Sequence, residues 1–408
     1  MNNRQSPGKY LRDHERWRTE QTINLIPSEN LTSPAVQKFL SSDLGHRYTL
    51  EVNGEIHGTV CDLAYRGSKY LDEMEREGEA LARELFGSTH ATLRPLSGHL
   101  SVMMMVLSTC RRGDTIMSIP VSFGGYDGYG PDYIPDILGL KYAPIPFLDN
   151  AGNIDTPALV DEIGKKRPNL VVLGASMIPF PYDLKPIAEA CGDVGATLGY
   201  DGSHVLGLIA GGEFQDPLAE GADVLVGSTH KTFPGPQGGI LLTNDDGIFE
   251  RVKKNITWRT MDNAHWNRVG GLCQALWEME KIGGSYAEAV VRNARSLARH
   301  LHEHGFPIRY EKQGFTRSHQ VLPDVDAVFE KTGLSSPELA KVWERNDLIS
   351  DALLRLGTQE ITRLGMKEDD MAQVASLLKR ASHGENVGDE VRSFRHRFRL
   401  SYCPKPTG

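Results

Sequence analysis

The sequence predicts an α/β protein with a mostly parallel central sheet and a smaller α+β domain at its C-terminal end. From Asp114 onward, short apolar runs alternate with helical patterns, and this alternation is typical of a doubly wound sheet. Beyond residue 245 the alternation stops, and long amphipathic helical patterns and a stretch of mixed pattern follow. A length of 408 residues also exceeds what one ordinary core accommodates, so two domains are expected.

Six apolar runs of the alternating region are predicted strands. They cover residues 115–119, 142–145, 170–174, 196–200, 223–227 and 240–243. Ligands of doubly wound proteins gather at the carboxyl ends of the parallel strands, so side chains that follow these runs are candidates for a shared site. Three such residues are Ser176, Asp201 and Lys231.

Apolar residues at helical spacing predict the main helices. They cover residues 71–86, 98–110, 185–194, 270–282 and 286–304, and 185–194 is the clearest crossover helix. Residues 8–22 are polar with helical spacing, whereas the alternating basic residues of 392–399 predict an edge strand. These patterns divide the chain into an N-terminal arm (1–45), a large domain (46–285) and a small C-terminal domain (286–408).

The bulk composition argues against several classes of protein. A net charge of −8 and a pI near 6.0 argue against nucleic acid as a partner, because phosphate binding requires a basic surface. No apolar run approaches the roughly 20 residues of a membrane span, and no signal peptide is recognisable, so a cytoplasmic protein is expected. The five cysteines have neither a paired nor a metal-binding spacing, and we expect reduced thiols and no metal site.

Lys231 differs from most lysines because it follows an apolar run and precedes a segment rich in glycine and proline. A lysine away from an exposed helix face is a suitable nucleophile for an aldehyde. Asp201 follows another predicted strand, and His204 lies three residues further on. Pyridoxal phosphate requires an amine for its aldehyde and a carboxylate that keeps its ring nitrogen protonated. The sequence therefore predicts a pyridoxal phosphate site.

Four further segments carry candidate ligand groups, and each has a plainer alternative. Ser97-Gly98-His99 begins a predicted helix whose free amides suit a phosphate, or Ser97 is an ordinary N-cap. The glycine-rich loop that contains Tyr126 either places this ring on a planar cofactor or is a surface loop. Arg363 either binds a carboxylate in a bidentate manner or forms a surface ion pair. Ser28 lies in a turn that is either a helix cap or part of a site.

Six segments together resemble serine hydroxymethyltransferases, particularly the archaeal type. They are residues 23–33, 97–98, 201–210, 228–239, 316–320 and 357–366. The resemblance covers nearly the whole chain. It implies an aspartate aminotransferase-like fold of type I, pyridoxal 5'-phosphate as the cofactor, a small-molecule amino-acid substrate, and a homodimer with active sites at the subunit interface.

The resemblance also implies roles for individual residues. The catalytic set would comprise Lys231, Asp201, His204, His230 and Tyr65. Lys231 would bond to the cofactor aldehyde, and Asp201 would pair with the ring nitrogen. The other cofactor contacts would be Ser97, Gly98, His99, Tyr126, Ser176, Ser228 and, from the other subunit, Tyr48. Ser28 and Arg363 would hold the substrate carboxylate.

Three departures from the family pattern bear on the reaction. The family glutamate that serves hydroxymethyl transfer and folate is replaced by Leu50, with Glu51 and Glu55 nearby. The histidine that stacks on the cofactor ring is replaced by Tyr126, which keeps the stacking but has no titratable imidazole. The folate loop is shortened to residues 345–355. Tetrahydrofolate is therefore not expected as a co-substrate.

From these departures we expect a folate-independent enzyme that acts at Cα of a β-hydroxy-α-amino acid through a quinonoid carbanion. Aldolase or transaldolase cleavage of the Cα–Cβ bond, in specialised metabolism such as antibiotic biosynthesis, is the first hypothesis. Two alternatives are ordinary serine hydroxymethyltransferase activity and dioxygen-dependent oxidative decarboxylation of an amino acid such as a glycyl-nucleoside to a carboxamide. A cofactor-binding scaffold without catalysis is an alternative of another class. The sequence leaves open the side chain beyond Cβ, the use of dioxygen, and dimer versus tetramer.

Overall fold

The computed structural model describes residues 5–49, 65 and 67–404. Thirteen β-strands lie in this part of the chain. They are β1 (Ile23–Asn24), β2 (His90–Thr92), β3 (Thr115–Ser118), β4 (Lys141–Pro144), β5 (Phe147–Leu148), β6 (Asn153–Ile154), β7 (Leu170–Leu173), β8 (Thr197–Asp201), β9 (Val224–Ser228), β10 (Gly239–Thr243), β11 (Gln320–Val321), β12 (Leu348–Ile349) and β13 (Leu356–Gly357). Leu50, Glu51 and Glu55, on which part of the folate prediction rests, lie outside the described residues.

The described residues also form fifteen α-helices. They are α1 (Pro7–Glu15), α2 (Pro34–Leu40), α3 (Lys69–Phe86), α4 (Gly98–Thr109), α5 (Ile134–Leu138), α6 (Thr156–Lys166), α7 (Leu184–Val194), α8 (Leu206–Ala210), α9 (Asp246–Ile256), α10 (Trp266–Glu303), α11 (Val325–Thr332), α12 (Ser336–Glu344), α13 (Gln359–Arg363), α14 (Met371–Ser382) and α15 (Gly388–Arg395). The helices predicted over 71–86, 98–110 and 185–194 are confirmed as α3, α4 and α7.

Seven of the described strands form one sheet in the order β2-β10-β9-β8-β7-β3-β4. The pairs β9–β8, β8–β7, β7–β3 and β3–β4 are parallel, whereas β10 pairs antiparallel with both β9 and β2. Strands β7 and β9 are buried along their whole length, as expected of apolar runs in a sheet covered on both faces. All six predicted strands are present, and the predicted mostly parallel α/β fold is confirmed.

One long helix takes the place of two predicted helices. The separate helices over 270–282 and 286–304 are wrong, because α10 continues through Gly283 and Gly284. Glycine inside a helix costs roughly 1 kcal/mol, so a packing reason is expected. A Cβ atom on Gly211 would lie 2.5 Å from the carbonyl oxygen of Gly283. Gly211 therefore permits close packing against α10, and Gly283 and Gly284 do not end this helix.

The prediction of an edge strand over 392–399 is also wrong, because residues up to Arg395 belong to α15. Four apolar residues decide the outcome. Val387, Val391, Phe394 and Phe398 are all buried, and they recur at helical spacing rather than at every second position. The basic residues occupy the positions between them, which produced the misleading alternation.

The predicted N-terminal helix is present as α1, which continues into a π-helical turn, Arg16–Gln21. Trp17 Nε1 donates a hydrogen bond to Asp347 Oδ1 at 2.8 Å. Arg395 donates through Nη2 to the carbonyl of Thr19. The π-helical turn is thus bonded to the C-terminal part of the chain.

Residue contacts divide the chain into two units. One comprises residues 30–288 with 403 and 404, and it contains the central sheet. The other comprises the described residues up to 29 together with 289–402, and it contains the parallel pair β1–β12 and the antiparallel pair β11–β13. The predicted bounds of the arm, the large domain and the small domain stay a prediction. Within the described ranges, no helix has the length and apolar character needed to cross a membrane.

Candidate active site

A cavity of about 320 Å³ lies where β7, β8 and β9 end, in the unit of residues 30–288. Its lining residues are Ser97, Gly98, His99, Val102, Tyr126, Ala175, Ser176, Asp201, Ser203, His204, Ser228, His230, Lys231 and Gln237. Every residue predicted to contact the cofactor, except Tyr48, is among them. The sheet topology explains this convergence, because the carboxyl ends of neighbouring parallel strands meet at one edge.

Asp201 is the last residue of β8 and is buried. Its Oδ1 accepts a hydrogen bond from the backbone N–H of Ser203 at 3.0 Å, and its Oδ2 accepts one from the hydroxyl of Tyr129 at 3.2 Å. Because both partners donate, they orient an acceptor-only carboxylate. A fixed, buried carboxylate is the group that a protonated pyridine nitrogen requires.

Lys231 lies three residues beyond β9, in a loop that two hydrogen bonds hold. Thr232 Oγ1 donates to the carbonyl of His204 at 2.8 Å. Asn30 Nδ2 donates to the carbonyl of Lys231 itself at 2.7 Å. The lysine side chain therefore starts from a fixed backbone position, which suits a residue that must meet one atom of a bound group.

His230 precedes the lysine, and burial together with the charge of Lys231 lowers the pKa of His230 to about 4. The imidazole is therefore neutral near pH 7. Its Nδ1 is buried and has no hydrogen-bond partner among the described residues. His230 lines the cavity, and a buried polar atom without a protein partner fits a site in which a ligand supplies that partner.

The N-terminus of α4 contributes another wall. Ser97 Oγ accepts a hydrogen bond from the N–H of Leu100 at 3.1 Å, so the N-cap alternative for this residue is confirmed. Gly98 permits a close approach, because a Cβ atom there would lie 2.0 Å from Ser228 Oγ. The first amides of a helix have no intrahelical acceptor and attract anions. Capping by Ser97 is therefore compatible with phosphate binding.

Tyr126 and His99 share a hydrogen bond, with 2.8 Å between the tyrosine hydroxyl and His99 Nδ1. The Tyr126 ring also contacts Tyr129 edge to face, with ring centroids 5.7 Å apart. Burial and the nearby Asp201 raise the pKa of Tyr126, so its phenol keeps its proton at neutral pH. This wall offers an aromatic face and a neutral hydroxyl.

Two predicted residues of the same unit, Tyr48 and Tyr65, do not line this cavity. Their rings contact each other with centroids 5.1 Å apart, and the Tyr48 hydroxyl donates to Asp262 Oδ2 at 2.5 Å. Both rings are exposed, Tyr48 by 41% and Tyr65 by 46%. Since the resemblance assigns Tyr48 to the site of a partner subunit, its position outside its own cavity leaves that prediction open.

The two predicted carboxylate ligands, Ser28 and Arg363, belong to the other unit. Arg363 is the last residue of α13, and 0% of its surface is exposed. Its Nη1 donates to the carbonyl of Tyr402. Its burial excludes the alternative of a surface ion pair. Ser28 is partly buried in the turn that follows β1.

Sequence reasoning did not identify several residues that shape the cavity. Ser203 lies in the turn between Asp201 and His204, and its position between two predicted site residues is the feature of the sequence that could have indicated it. Tyr129 lies in the same glycine-rich loop as Tyr126, but its bond to the aspartate joins residues 72 positions apart. Asn30 carries no local signal, because its partner lies 201 positions away. In the part of the chain that the structure describes, no cluster of His, Cys, Asp or Glu could hold a metal ion.

Residues 9–378 match the family model described as serine hydroxymethyltransferase. The chain is 40% identical over 400 residues to the serine hydroxymethyltransferase of Methanothermobacter thermautotrophicus, covering 94% of this chain and 91% of that protein. It is 38% identical over 414 residues to the enzyme of the same name from Methanocaldococcus jannaschii, with 97% and 94% covered.

A solved structure of L-threonine transaldolase from Pseudomonas fluorescens, in its internal aldimine state, is also similar. Its TM-score is 0.86 at 26% identity, covering 97% of this chain and 92% of that chain. The predicted type I fold is confirmed, and pyridoxal phosphate is the cofactor. The cavity has the lysine, the carboxylate, the helix N-terminus and the unsatisfied His230 nitrogen that this group needs. The chain belongs to the serine hydroxymethyltransferase family.

Proposed function

We propose that this enzyme cleaves the Cα–Cβ bond of a β-hydroxy-α-amino acid without folate, as an aldolase or a transaldolase. The observation that carries the proposal is the Tyr126–His99 wall of the cavity, where a phenol that keeps its proton occupies the family position of a titratable histidine. Similarity of fold to a protein named L-threonine transaldolase supports the same class of reaction.

Hydroxymethyl transfer between serine and glycine is the second candidate. The relatives at 40% and 38% identity carry the name serine hydroxymethyltransferase, and that observation favours it. The two candidates differ in their need for tetrahydrofolate. The Leu50 replacement and the short 345–355 segment support folate independence.

When bound, pyridoxal phosphate supplies an electron sink for the electron pair left at Cα. The protein supplies attachment and orientation. We assign Lys231 as the amine that bonds to the cofactor aldehyde, and Asp201 as the partner of the ring nitrogen. Both are held in place through Asn30, Ser203 and Tyr129. The amides at the start of α4 and the adjacent Ser228 hydroxyl are assigned to the phosphate.

The two histidines next to these groups, His204 and His230, are assigned to the ring environment together with Ser176. His230 stays neutral at working pH, because burial and Lys231 lower its pKa to about 4. A neutral imidazole adds no second positive charge beside the lysine, and its Nδ1 can form a hydrogen bond to a bound group. We therefore assign these residues to orienting polar atoms of the ligand, and not to proton transfer.

Arg363 and Ser28 are assigned to the substrate carboxylate. A buried guanidinium is suited to bidentate binding of a carboxylate. A carboxylate held in this way keeps the Cα–carboxylate bond in place, so cleavage of Cα–Cβ is favoured over loss of carbon dioxide. The dioxygen-dependent alternative would require a different orientation of the substrate.

We also propose a homodimer with active sites at the subunit interface, in which Tyr48 reaches the partner's cofactor and Tyr65 contacts the substrate. The two aromatic rings are exposed and contact each other, and this supports the proposal that a partner subunit covers the surface on which they lie. A cytoplasmic location and a role in specialised metabolism stay predictions from the sequence.

The test compares aldehyde release, folate dependence and oxygen uptake in one preparation. The cofactor-loaded enzyme is incubated with L-threonine, with and without an added aromatic aldehyde as acceptor, and with L-serine plus tetrahydrofolate. We expect release of acetaldehyde from L-threonine that does not depend on folate. A rate on L-serine that requires tetrahydrofolate and exceeds the rate on L-threonine would establish the second candidate instead. Oxygen consumption matched to substrate loss would establish the oxidative alternative.

A further inference from the structure

The segment that contains Ser28 is held by the first residue of α13. Gln359 Nε2 donates to the carbonyl of Ile26 at 2.7 Å and to the carbonyl of Glu29 at 2.6 Å. Gln359 is 0% exposed. One side-chain amide thus bonds the main chain on both sides of Ser28. The backbone N–H of Gly357 adds a bond of 2.6 Å to the carbonyl of Leu25.

The next residue of the helix, Glu360, is buried and belongs to a small, partly exposed polar cluster. Asn24 Nδ2 donates to Glu360 Oε2 at 2.7 Å and to Glu29 Oε2 at 2.8 Å, so one amide bridges two carboxylates. Arg18 forms an ion pair with Glu29. Arg395 and Arg18 act on Glu360 as positive charges, and Glu29 acts as a negative one.

We propose that Gln359 and Glu360 are positioning residues that fix the Ile26–Glu29 segment, and Ser28 within it, for binding the carboxylate of an amino acid. The inference rests on the proposed function, which assigns Ser28 and Arg363 to that carboxylate. Because Gln359, Glu360 and Arg363 lie on one five-residue helix, a single rigid element places both carboxylate ligands.

The cluster makes this positioning depend on pH. Burial raises the pKa of Glu360 to about 7, against the opposing effects of Asn24 and Arg18. Below that pH Glu360 is neutral and shares Asn24 with Glu29 without repulsion. Above it, two carboxylates share one amide, and the segment is held less firmly. Binding of a carboxylate by the wild-type enzyme should therefore weaken above neutral pH, and binding by E360Q should not.

The test uses two probes that differ in one group. L-Serine has a carboxylate and ethanolamine lacks it, and the binding of both to the cofactor-loaded enzyme is followed by cofactor absorbance. Q359M keeps the volume of the side chain and removes its two N–H donors. In Q359M we expect the dissociation constant for L-serine to rise about tenfold, because two buried hydrogen bonds are lost, and the constant for ethanolamine to stay within about twofold.

Two further variants complete the design. Q373M removes an amide that bonds Glu390 at 2.6 Å, elsewhere in the same unit, and it should leave both dissociation constants unchanged. E360Q should abolish the difference in L-serine binding between about pH 6 and pH 8.5 relative to ethanolamine. Equal losses for both probes in Q359M, or a persisting pH difference in E360Q, would overturn the inference and leave the proposed function standing. No binding of L-serine by the wild-type enzyme would overturn both.

Discussion

Replacement of Glu360 by glutamine should stabilise the protein, and only at neutral and alkaline pH. Burial raises the pKa of this carboxyl from 4.5 to about 7, so the folded state binds the proton more tightly than the unfolded chain. For an acid with a raised pKa, stability is greatest below the unfolded value and declines as the pH rises to the folded value. The difference between a pKa of 4.5 and one of about 7 corresponds to roughly 3 kcal/mol of stability.

The magnitude depends on the pH at which the two proteins are compared. At about pH 5 most of this cost is absent, and above about pH 8 all of it is present. The advantage of E360Q over the wild type should therefore grow by about 2–3 kcal/mol between these conditions. Glutamine keeps an oxygen that can accept the hydrogen bond from Asn24, so the geometry of the cluster is retained.

The assay is denaturant unfolding of the cofactor-loaded protein at the two pH values, followed by tryptophan fluorescence. Trp17 and Trp343 lie in the same unit as Glu360 and report on it. E338Q is the control. Hydrogen bonds from Ser335 lower the pKa of Glu338, so this replacement should destabilise the protein, whereas E360Q should stabilise it. An E360Q advantage that is equal at both pH values, or larger in acid, would refute the assignment of a buried, protonated Glu360.

Three further predictions concern the cavity. Lys231→Ala should keep the cofactor only non-covalently and stop turnover, and undiminished turnover would refute its role. Tyr129→Phe removes one of two donors to Asp201 and should raise the dissociation constant of pyridoxal phosphate about tenfold, measured by reconstitution of the apo-protein. Tyr182→Phe is its control, because that buried hydroxyl has no hydrogen-bond partner among the described residues. Asn30→Ala should slow reformation of the bond between cofactor and lysine, followed by absorbance, and an unchanged rate would show that the Lys231 backbone needs no such support.

The sequence predicted the strands well because a parallel sheet covered on both faces demands continuous apolar runs. Val224–Ser228 is buried at every position, so its pattern could not be mistaken for an exposed strand. It also predicted residues that line one cavity, since Asp201 and Lys231 follow the ends of neighbouring parallel strands. It failed at α15, where basic residues hid a helical period, and at α10, which is one helix where two were predicted.

Contacts between distant residues were out of reach for a physical reason. The donors that hold Asp201 and the main chain of Lys231 are a tyrosine and an asparagine in loops, and neither residue type has a periodicity that reports its partner. The same holds for Gln359, whose amide bonds carbonyls about 330 positions away in the chain. Such contacts become visible only when the fold places both ends together, although they determine how firmly the predicted groups are held.

The identity of the groups at the cavity wall also bears on why folate independence is the stronger proposal. Hydroxymethyl transfer needs a group that exchanges protons near neutral pH, Leu50 replaces the family glutamate with that role, and a Tyr126 phenol with a raised pKa cannot take its place. His230 cannot replace it as a strong base, since its pKa is lowered to about 4. Retro-aldol cleavage requires removal of only the substrate's β-hydroxyl proton, which a single base or an ordered water can accept.

Tyr126→His would restore an imidazole at this position. Leu50 and the short 345–355 segment remain in this variant, so it should gain no folate-dependent transfer from L-serine. If the wall selects the reaction, its release of acetaldehyde from L-threonine should fall, and an unchanged rate would show that the wall does not select the reaction.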